Sequence, residues 1–423
     1  MTPERVEVDK MNHRIFLLLP LLAVVQGCPS PTPPTPPVPT TCEADPNWIS
    51  NPSMPGEVPK AESFCDFYQF SWQWFLAQTA PAPENGMPVF MGNRVYQPSG
   101  DDNQCADPPM VGHEGVQAAL TPRTVKAQDF EDAQADANAL YDKNGNVLHY
   151  NAFYSQALCD STAAGFAPGT LEMKAAWMTL DAPSPDYYMI SVSLNDKQVH
   201  LGLVGLHMAI WTPNHPEMIW ASWEHKRNAP LCNGHSEGSD WAFASVNASA
   251  CLVANKQNGS GPPSEACSSF SFNTPDSLPS GAVPVKGKPN NVCREYSHGN
   301  QPGESINGND NAANLAAITE LNEALVGEGG MLASTWSNYE VVGGIWTKDG
   351  ADSGPPPVPS KQSQGPGDPA SPQRGSLELS NMTLETFQQG DTSAIPNCFG
   401  CHNYDSTKPL EVSHIQSKLI TSE

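Results

Sequence analysis

Leu201-Gly-Leu-Val-Gly-Leu-His-Met-Ala-Ile210 is nearly all apolar and sits inside a longer extended-looking run, Gln198–Trp211. Side chains of a strand alternate between two faces, so a run apolar at both parities predicts a central strand covered on both sides. His207 stands inside it, and an ionisable side chain among apolar neighbours needs a partner, by hydrogen bond or by metal. Leu171–Leu180, Tyr187–Leu194 and Met218–Lys226 are similarly rich in β-branched, aromatic and aliphatic residues, with breaks at Pro183, Pro185, Asn195-Asp196 and Pro213–Pro216. Asn195-Asp196 between two such runs reads as a hairpin turn. In Met218–His225, alternation sends Met218, Trp220, Ser222 and Glu224 to one face and Ile219, Ala221, Trp223 and His225 to the other. Trp336–Trp346 returns to strand, and a short strand is expected within Met87–Tyr96.

Helical periodicity marks Ala61–Thr79, whose Phe64, Phe67/Tyr68, Ser71/Trp72 and Phe75/Leu76 recur at three-to-four spacing. That aromatic stripe reads as core, with a cofactor-contacting wall as the alternative. Asn311–Val326 forms a second helix with a stripe of Leu315, Ile318, Leu321/Asn322 and Leu325; Phe130–Tyr141 and His149–Leu158 carry weaker helical patterns. The fold class expected is α+β: a central, mostly antiparallel β structure, sandwich- or barrel-like, with peripheral helices and long loops.

The N-terminus reads as an export signal. Lys10 and Arg14 supply charge, Ile15–Val25 an apolar core of eleven residues, and Gln26-Gly27-Cys28 the end of it; Met11 is a plausible start. Eleven residues fall short of the ~20 a membrane-spanning helix needs. Gly27 before Cys28, with Val25 two positions earlier, resembles a bacterial lipobox, so Cys28 is expected as the lipidated first residue of the mature chain; a simple secretory signal is the alternative. Pro29–Thr41 reads PSPTPPTPPVPTT, a polyproline spacer of about 40 Å at roughly 3.1 Å per residue. The expected organisation is thus signal 1–27, anchor and linker 28–41, β-rich body 42–346, flexible loop 347–375 and a C-terminal segment 376–423.

A formal charge of −24 argues against nucleic-acid binding, which needs a basic footprint, and suits docking on a basic partner. The 42 prolines and 33 glycines imply long loops. No apolar run after the signal is long enough to cross a membrane as a helix.

Cys398-Phe-Gly-Cys-His402 is the spacing of a c-type haem attachment site. Each sulfur adds to one porphyrin vinyl group, and the histidine that follows lies under the ring with a nitrogen on the iron. An exported chain is where such attachment takes place; the alternative is a Cys398–Cys401 disulfide beside an incidental histidine. Setting aside Cys28, Cys398 and Cys401 leaves eight of the eleven cysteines: Cys42, Cys65, Cys105, Cys159, Cys232, Cys251, Cys267 and Cys293. An even remainder in an oxidising compartment suggests up to four disulfides among about a hundred connectivities, Cys232–Cys251 and Cys267–Cys293 being the local choices. A zinc reading of Cys232-Asn-Gly-His235 is the weakest alternative.

The haem motif lies near the C-terminus, with twenty-one residues after His402 and no methionine among them, so the ordinary methionine-ligated small cytochrome fold does not apply to this tail. The body must then supply the sixth iron ligand, or water does. His207 is the first choice, followed by His225, His414, Met208, Met218 and Met382. Lys226 or Arg227 are candidates for haem propionates, against a plain surface charge run, and Trp220, Trp223, Phe399 and Tyr404 for packing on the ring, against ordinary core. Ser380 or Asn381 is placed to cap a short helix, Met382–Gln389, leading into the motif.

The segment Val204-Gly-Leu-His-Met208…Thr212-Pro213…Trp220-Ala-Ser-Trp-Glu-His225…Asn228-Ala-Pro230 resembles a stretch of exported bacterial proteins carrying one c-type haem, called "cytochrome c family protein". Trp336-Ser-Asn-Tyr339…Trp346 and Leu379-Ser-Asn-Met-Thr-Leu-Glu-Thr386…Cys398–His402 are similar to its other shared stretches. The resemblance implies haem and a cell-envelope location, and carries no reaction with it. Three functions are therefore expected in order. The first is a membrane-anchored monohaem cytochrome passing electrons to a redox partner protein. The second is a peroxidase-like small-molecule oxidoreductase with an open sixth iron position, for which Glu224 with His225, or Tyr339 with Glu340, are the acid–base hints. The third is a ligand-binding envelope protein in which haem is secondary.

Overall fold

A computed structural model of the chain describes residues 41–59, 63–95, 121–122, 140–162, 165–194, 197–232, 241–244, 252–254, 289, 291–299, 305–306, 308–348, 372–379, 381–384, 386, 397–402, 404 and 409–413. Where described, at 382–384 and Thr386, the helix expected at Met382–Gln389 is not formed. Cys28, the proline run, Cys105, Cys251, Cys267, His414 and the rest of that expected helix lie outside these residues. So do all but the last two residues of the helix expected at Phe130–Tyr141, and Tyr141 bridges to Val147 instead.

The strands in chain order are β1 Arg94–Val95, β2 Thr121–Pro122, β3 His149–Tyr154, β4 Leu171–Leu180, β5 Met189–Leu194, β6 Lys197–Thr212, β7 His215–His225, β8 Val253–Ala254, β9 Val292–Cys293, β10 Ser305–Ile306, β11 Asn309–Asp310, β12 Tyr339–Thr347 and β13 Gln373–Gly375. The helices are α1 Asn47–Ser50, α2 Phe64–Thr79, α3 Gln156–Cys159, α4 Asn311–Val326 and α5 Cys398–Cys401. The fold is α+β. One antiparallel sheet runs in the order β1-β3-β4-β6-β7-β12-β13, with β2 also on β3 and β5 also on β6. It is open rather than the closed barrel or two-sheet sandwich expected from the number of strand-like runs. β6 lies at its middle, and Leu201 through Ile210 are all buried. Leu194 pairs with Lys197, as expected of strands joined through Asn195-Asp196.

The register explains how β6 stays apolar at both parities. Ala176 pairs with Gly205 but Trp177 with Leu203, so β6 carries an extra residue there. That bulge keeps Leu201 and Leu203 on the same face as Leu206, Met208 and Ile210, where they join the main core with Met173, Trp177, Ile219 and Trp223. Val204, His207 and Ala209 belong to the opposite face, with Met218, Trp220 and Glu224 of β7.

The first face is covered by helices. α2 opens on a capping box, Ser63 and Asp66 satisfying each other's backbone N–H. Its Phe67, Tyr68, Trp72 and Phe75 are fully buried, Phe75 stacking on Trp223 at 5.0 Å and Phe67 on Trp346 at 4.1 Å. Each such aromatic contributes about 1.5–3 kcal/mol of burial, so the stripe is core, away from Cys398. α4 matches its expected bounds, capped by Asp310, although its buried stripe runs through Asn314, Ala317, Ile318, Leu321 and Leu325 rather than Leu315. Asn322 pairs with both the N–H and the C=O of Val341, at 3.1 and 2.9 Å, where β13 does not reach the edge of β12.

The second face is covered in part by the C-terminal segment, described at 376–379, 381–384, 397–402, 404 and 409–413, with Leu377, Met382, Leu384, Phe399 and Val412 buried against it; Leu140, Phe243 and Val292 pack on it too. Gly205 makes this possible, since a Cβ there would collide with the Thr383 hydroxyl.

Several expectations are corrected. His149–Tyr154 is a strand, not a helix: it pairs residue for residue with β4, and Asn151 accepts the Trp177 indole N–H at 2.7 Å. Among the described residues of Met87–Tyr96 only Arg94–Val95 is strand, preceded by a 3-10 turn at Val89–Gly92. Gln373–Gly375, placed in a flexible loop, is a sheet strand; Asn309 pairs with both backbone groups of Gly375 from its other side. The disulfides are Cys42–Cys65 and Cys232–Cys293, not Cys232–Cys251 and Cys267–Cys293. A backbone bridge between Leu231 and Arg294 brings the distant Cys293 beside Cys232, overriding sequence proximity. Cys159 is also disulfide-bonded. Bonds of this kind form and persist in oxidising compartments. Among the described residues no helix is long and apolar enough to cross a membrane.

Replacing Gly205 with alanine should cost about 1–3 kcal/mol by overpacking against Thr383, seen as a lower urea midpoint with an unchanged slope. A midpoint equal to that of the parent would mean that the segment is not seated there.

Candidate functional site

The C-terminal cysteine segment is seated on the sheet by Asn397. Its Oδ1 accepts the Phe399 N–H at 3.1 Å and so caps α5; its Nδ2 donates to Gln373 Oε1 at 2.9 Å and Leu377 O at 3.3 Å. Cys398 is a buried thiol, 3% exposed, packed in one cluster with Ala209, Met218, Trp220, Ile345 and Val412. The His402 N–H reaches the Cys398 carbonyl at 2.8 Å, so the motif is a single helical turn. His402 Nδ1 donates to the Val412 carbonyl at 2.9 Å. A carbonyl only accepts, so this contact puts the proton on Nδ1 and the lone pair on Nε2.

The Trp220 indole lies 4.3 Å from the His402 ring and 5.5 Å from the His207 ring. Its orientation is fixed by its own strand, Nε1 donating to the Glu217 carbonyl at 3.0 Å beside Met218, whose φ is +66°. His207 Nδ1 is 2.7 Å from Ser222 Oγ, directly across the sheet register. Lys174 pairs with His207 from the other side. Burial first, then the Lys174 charge, pulls the His207 pKa down to about 3, so its ring is neutral at ordinary pH.

A second polar group stands further along the same face. Glu224, fully buried, accepts from the Arg294 guanidinium at 2.7 and 3.4 Å, from Asn228 at 3.2 Å and from the Met382 N–H at 2.7 Å. It binds together β7, the strand that carries Cys293 and the C-terminal cover. Removing one partner of such a pair costs about 3–5 kcal/mol because the other charge is left buried.

The candidates thus separate by face. Met218, Trp220, Phe399 and Tyr404 share a cluster with Cys398, and Trp220 packs on both His402 and His207. Met382 lies in the adjoining cluster. Met208 and Trp223 are in the helix-covered core, on the wrong face to reach His402. His225 is no solvated strand end: it is buried, stacked on Tyr187 at 4.1 Å, with Nε2 on the Asp186 carbonyl at 3.0 Å. Lys226 donates to the Val326 carbonyl of α4 and Arg227 sits 3.5 Å from Asp186, both away from Cys398. The acid–base hints dissolve by the same alternation, because neighbours in a strand point to opposite faces: Glu224 with His225, and Tyr339, whose hydroxyl donates to Leu203 O, with Glu340. Cys232, being in a disulfide, is unavailable as a zinc thiolate, and among the described residues no three His, Cys, Asp or Glu converge as a metal site.

Sequence reading put Ser222 on this face but did not single out Glu172 and Lys174. The signal was there: Glu172 and Lys174 are two apart in an otherwise apolar strand, hence on one face. On the helix side, a cleft of about 300 Å³ is lined by Ile49, Leu76, Pro88, Tyr188, Leu332 and Trp336. No protein-family model, curated protein or solved structure matches the chain.

Burial also lowers the pKa values of His149, His225 and His298 to about 4. An unfolded chain protonates histidine near 6.5. Below that pH it takes up protons the folded chain refuses, so stability present above about pH 6.5 is lost as the pH falls toward about 4. Urea midpoints should fall over this window, and less steeply in a His225→Gln variant. A decline of unchanged steepness would show that His225 is not held neutral by the fold.

Proposed function

We propose that the chain is a lipid-anchored monohaem c-type cytochrome of the bacterial cell envelope, passing single electrons to a partner protein with a basic docking surface. The observation that carries this reading is the Nδ1–H contact of His402 with the Val412 carbonyl, on the same helical turn as the buried Cys398 thiol. Axial histidines are usually oriented this way, the other ring nitrogen donating to a carbonyl, which raises ligand basicity. The residues present suit haem c: Cys398 and Cys401 would hold it through thioethers and His402 through Nε2. When bound, the haem supplies reversible one-electron exchange.

The chain's own residues do the rest. Val412 holds the His402 tautomer, and Trp220 packs against the imidazole and limits its rotation. The apolar cluster of Met218, Ile345, Leu377, Phe399 and Val412 keeps water from the site. His207, neutral and oriented by Ser222, is the preferred sixth ligand, and Met218 shares the same cluster. The resemblance to exported cytochrome c proteins supports the location, as do the lipobox-like Cys28 and the disulfides. The charge of −24 supports the basic partner.

A peroxidase-like role finds less support. It needs a proton-transferring base, and a histidine with its pKa near 3 is a weak one. A ligand-binding body with secondary haem draws on the cleft beside Tyr188 and Trp336.

The test is expression with a c-type maturation system. Covalent haem is expected in the parent and absent from Cys398→Ala/Cys401→Ala. A low-spin spectrum indifferent to carbon monoxide is expected, and it should become carbon monoxide-sensitive in His207→Ala. A carbon monoxide-sensitive parent would turn the reading toward catalysis, and no covalent haem at all would refute it.

A further inference from the structure

We infer that Glu172 is a positioning residue for His402, acting through Ser413 and the Val412 carbonyl, an inference that rests on the haem reading above. Glu172 lies in β4 between Leu171 and Met173, and is only 2% exposed. A carboxylate in such a place is costly unless it is hydrogen-bonded, and packing alone would be served by an apolar residue. Its Oε2 accepts the Ser413 hydroxyl at 2.8 Å, and Ser413 is fully buried.

Ser413 is next in the chain to Val412, whose carbonyl accepts from His402. The turn Pro409–Val412 is closed by the Ser413 N–H on the Leu410 carbonyl at 3.1 Å, and Val412 itself is fully buried. Two hydrogen bonds and a short piece of backbone thus connect a carboxylate of the rigid central sheet to the imidazole. The connection has a direction. Glu172 fixes Ser413, Ser413 fixes where the Val412 oxygen stands, and that oxygen decides which ring nitrogen of His402 carries the proton. A ligand whose Nδ1–H is well accepted is a stronger donor to iron and favours its oxidised state. Loosening the anchor should leave the fold in place while the ligand's tautomer and orientation spread.

The variants are Glu172→Gln, which keeps an acceptor, Glu172→Leu, which removes it, and Ser413→Ala, which breaks the same bond from the loop side. Two readouts on the full mature chain are used. Nitrogen-15 NMR in the Cys398→Ala/Cys401→Ala background reports the His402 tautomer without haem. The midpoint potential is measured on the haem-loaded protein. The parent and Glu172→Gln should hold the proton on Nδ1. Glu172→Leu and Ser413→Ala should give mixed tautomers and raise the potential by an amount equal to about a tenfold change in the oxidised-to-reduced ratio, roughly 59 mV for one electron. If Ser413→Ala leaves both readouts at parent values, the inference is overturned, whatever Glu172→Leu does. If the parent takes up no haem, the haem reading fails separately, and the tautomer measurement alone decides the role of Glu172.

Discussion

A strand that is apolar on both faces cannot be stabilised from one side. β6 buries Leu201–Ile210 completely, and its bulge at Val204-Gly205 assigns one row of side chains to each face. The architecture follows from that demand for two covers. Helices α2 and α4 provide the first, through aromatic and aliphatic stripes. The C-terminal segment provides part of the second, although it lies some two hundred residues further along the chain. The residues proposed to hold haem are therefore built into one of the two layers that complete the core.

Where periodicity and composition agree over many residues, the sequence was legible. β4 and α4 were read to the residue, the alternation of β7 was read correctly, and β6 was recognised as central. Legibility was lost where tertiary contacts choose between local options. His149–Tyr154 has no strong period of its own; pairing with β4 makes it a strand. Gln373–Gly375 looks like loop because its partners, Thr347 on one side and Asn309 on the other, are far away in sequence. The Cys232–Cys293 bond follows a backbone bridge that local spacing does not encode.

The candidate site shows the same division. The motif Cys398–His402 and the anomaly of His207 are visible in sequence, because each is a chemical exception to its surroundings. The Val412 carbonyl is not visible, since any residue there offers one. Nor is the Trp220 ring that touches both histidines distinguishable in sequence from Trp223, which alternation puts in the other core. Elimination by face was more decisive than chemistry: Met208 and His225 are good iron ligands in type, and they are on the wrong side of the sheet.

The burial of Cys398 has a consequence for the order of events during biogenesis. A thiol that is only 3% exposed, beneath Trp220 and Val412, offers little access to an enzyme once the layer has closed. The segment that carries it follows β6 by some two hundred residues, so it is synthesised after the strand it covers. Until it arrives, Ala209 of β6 and Met218 and Trp220 of β7 lack their C-terminal partners in the finished core. The haem attachment proposed for that cysteine would then compete with closure of the second layer for the same nascent segment, and would have to come first. On that proposal, completion of the core would act as a one-way latch, sealing what the cysteine acquired while the segment was still open.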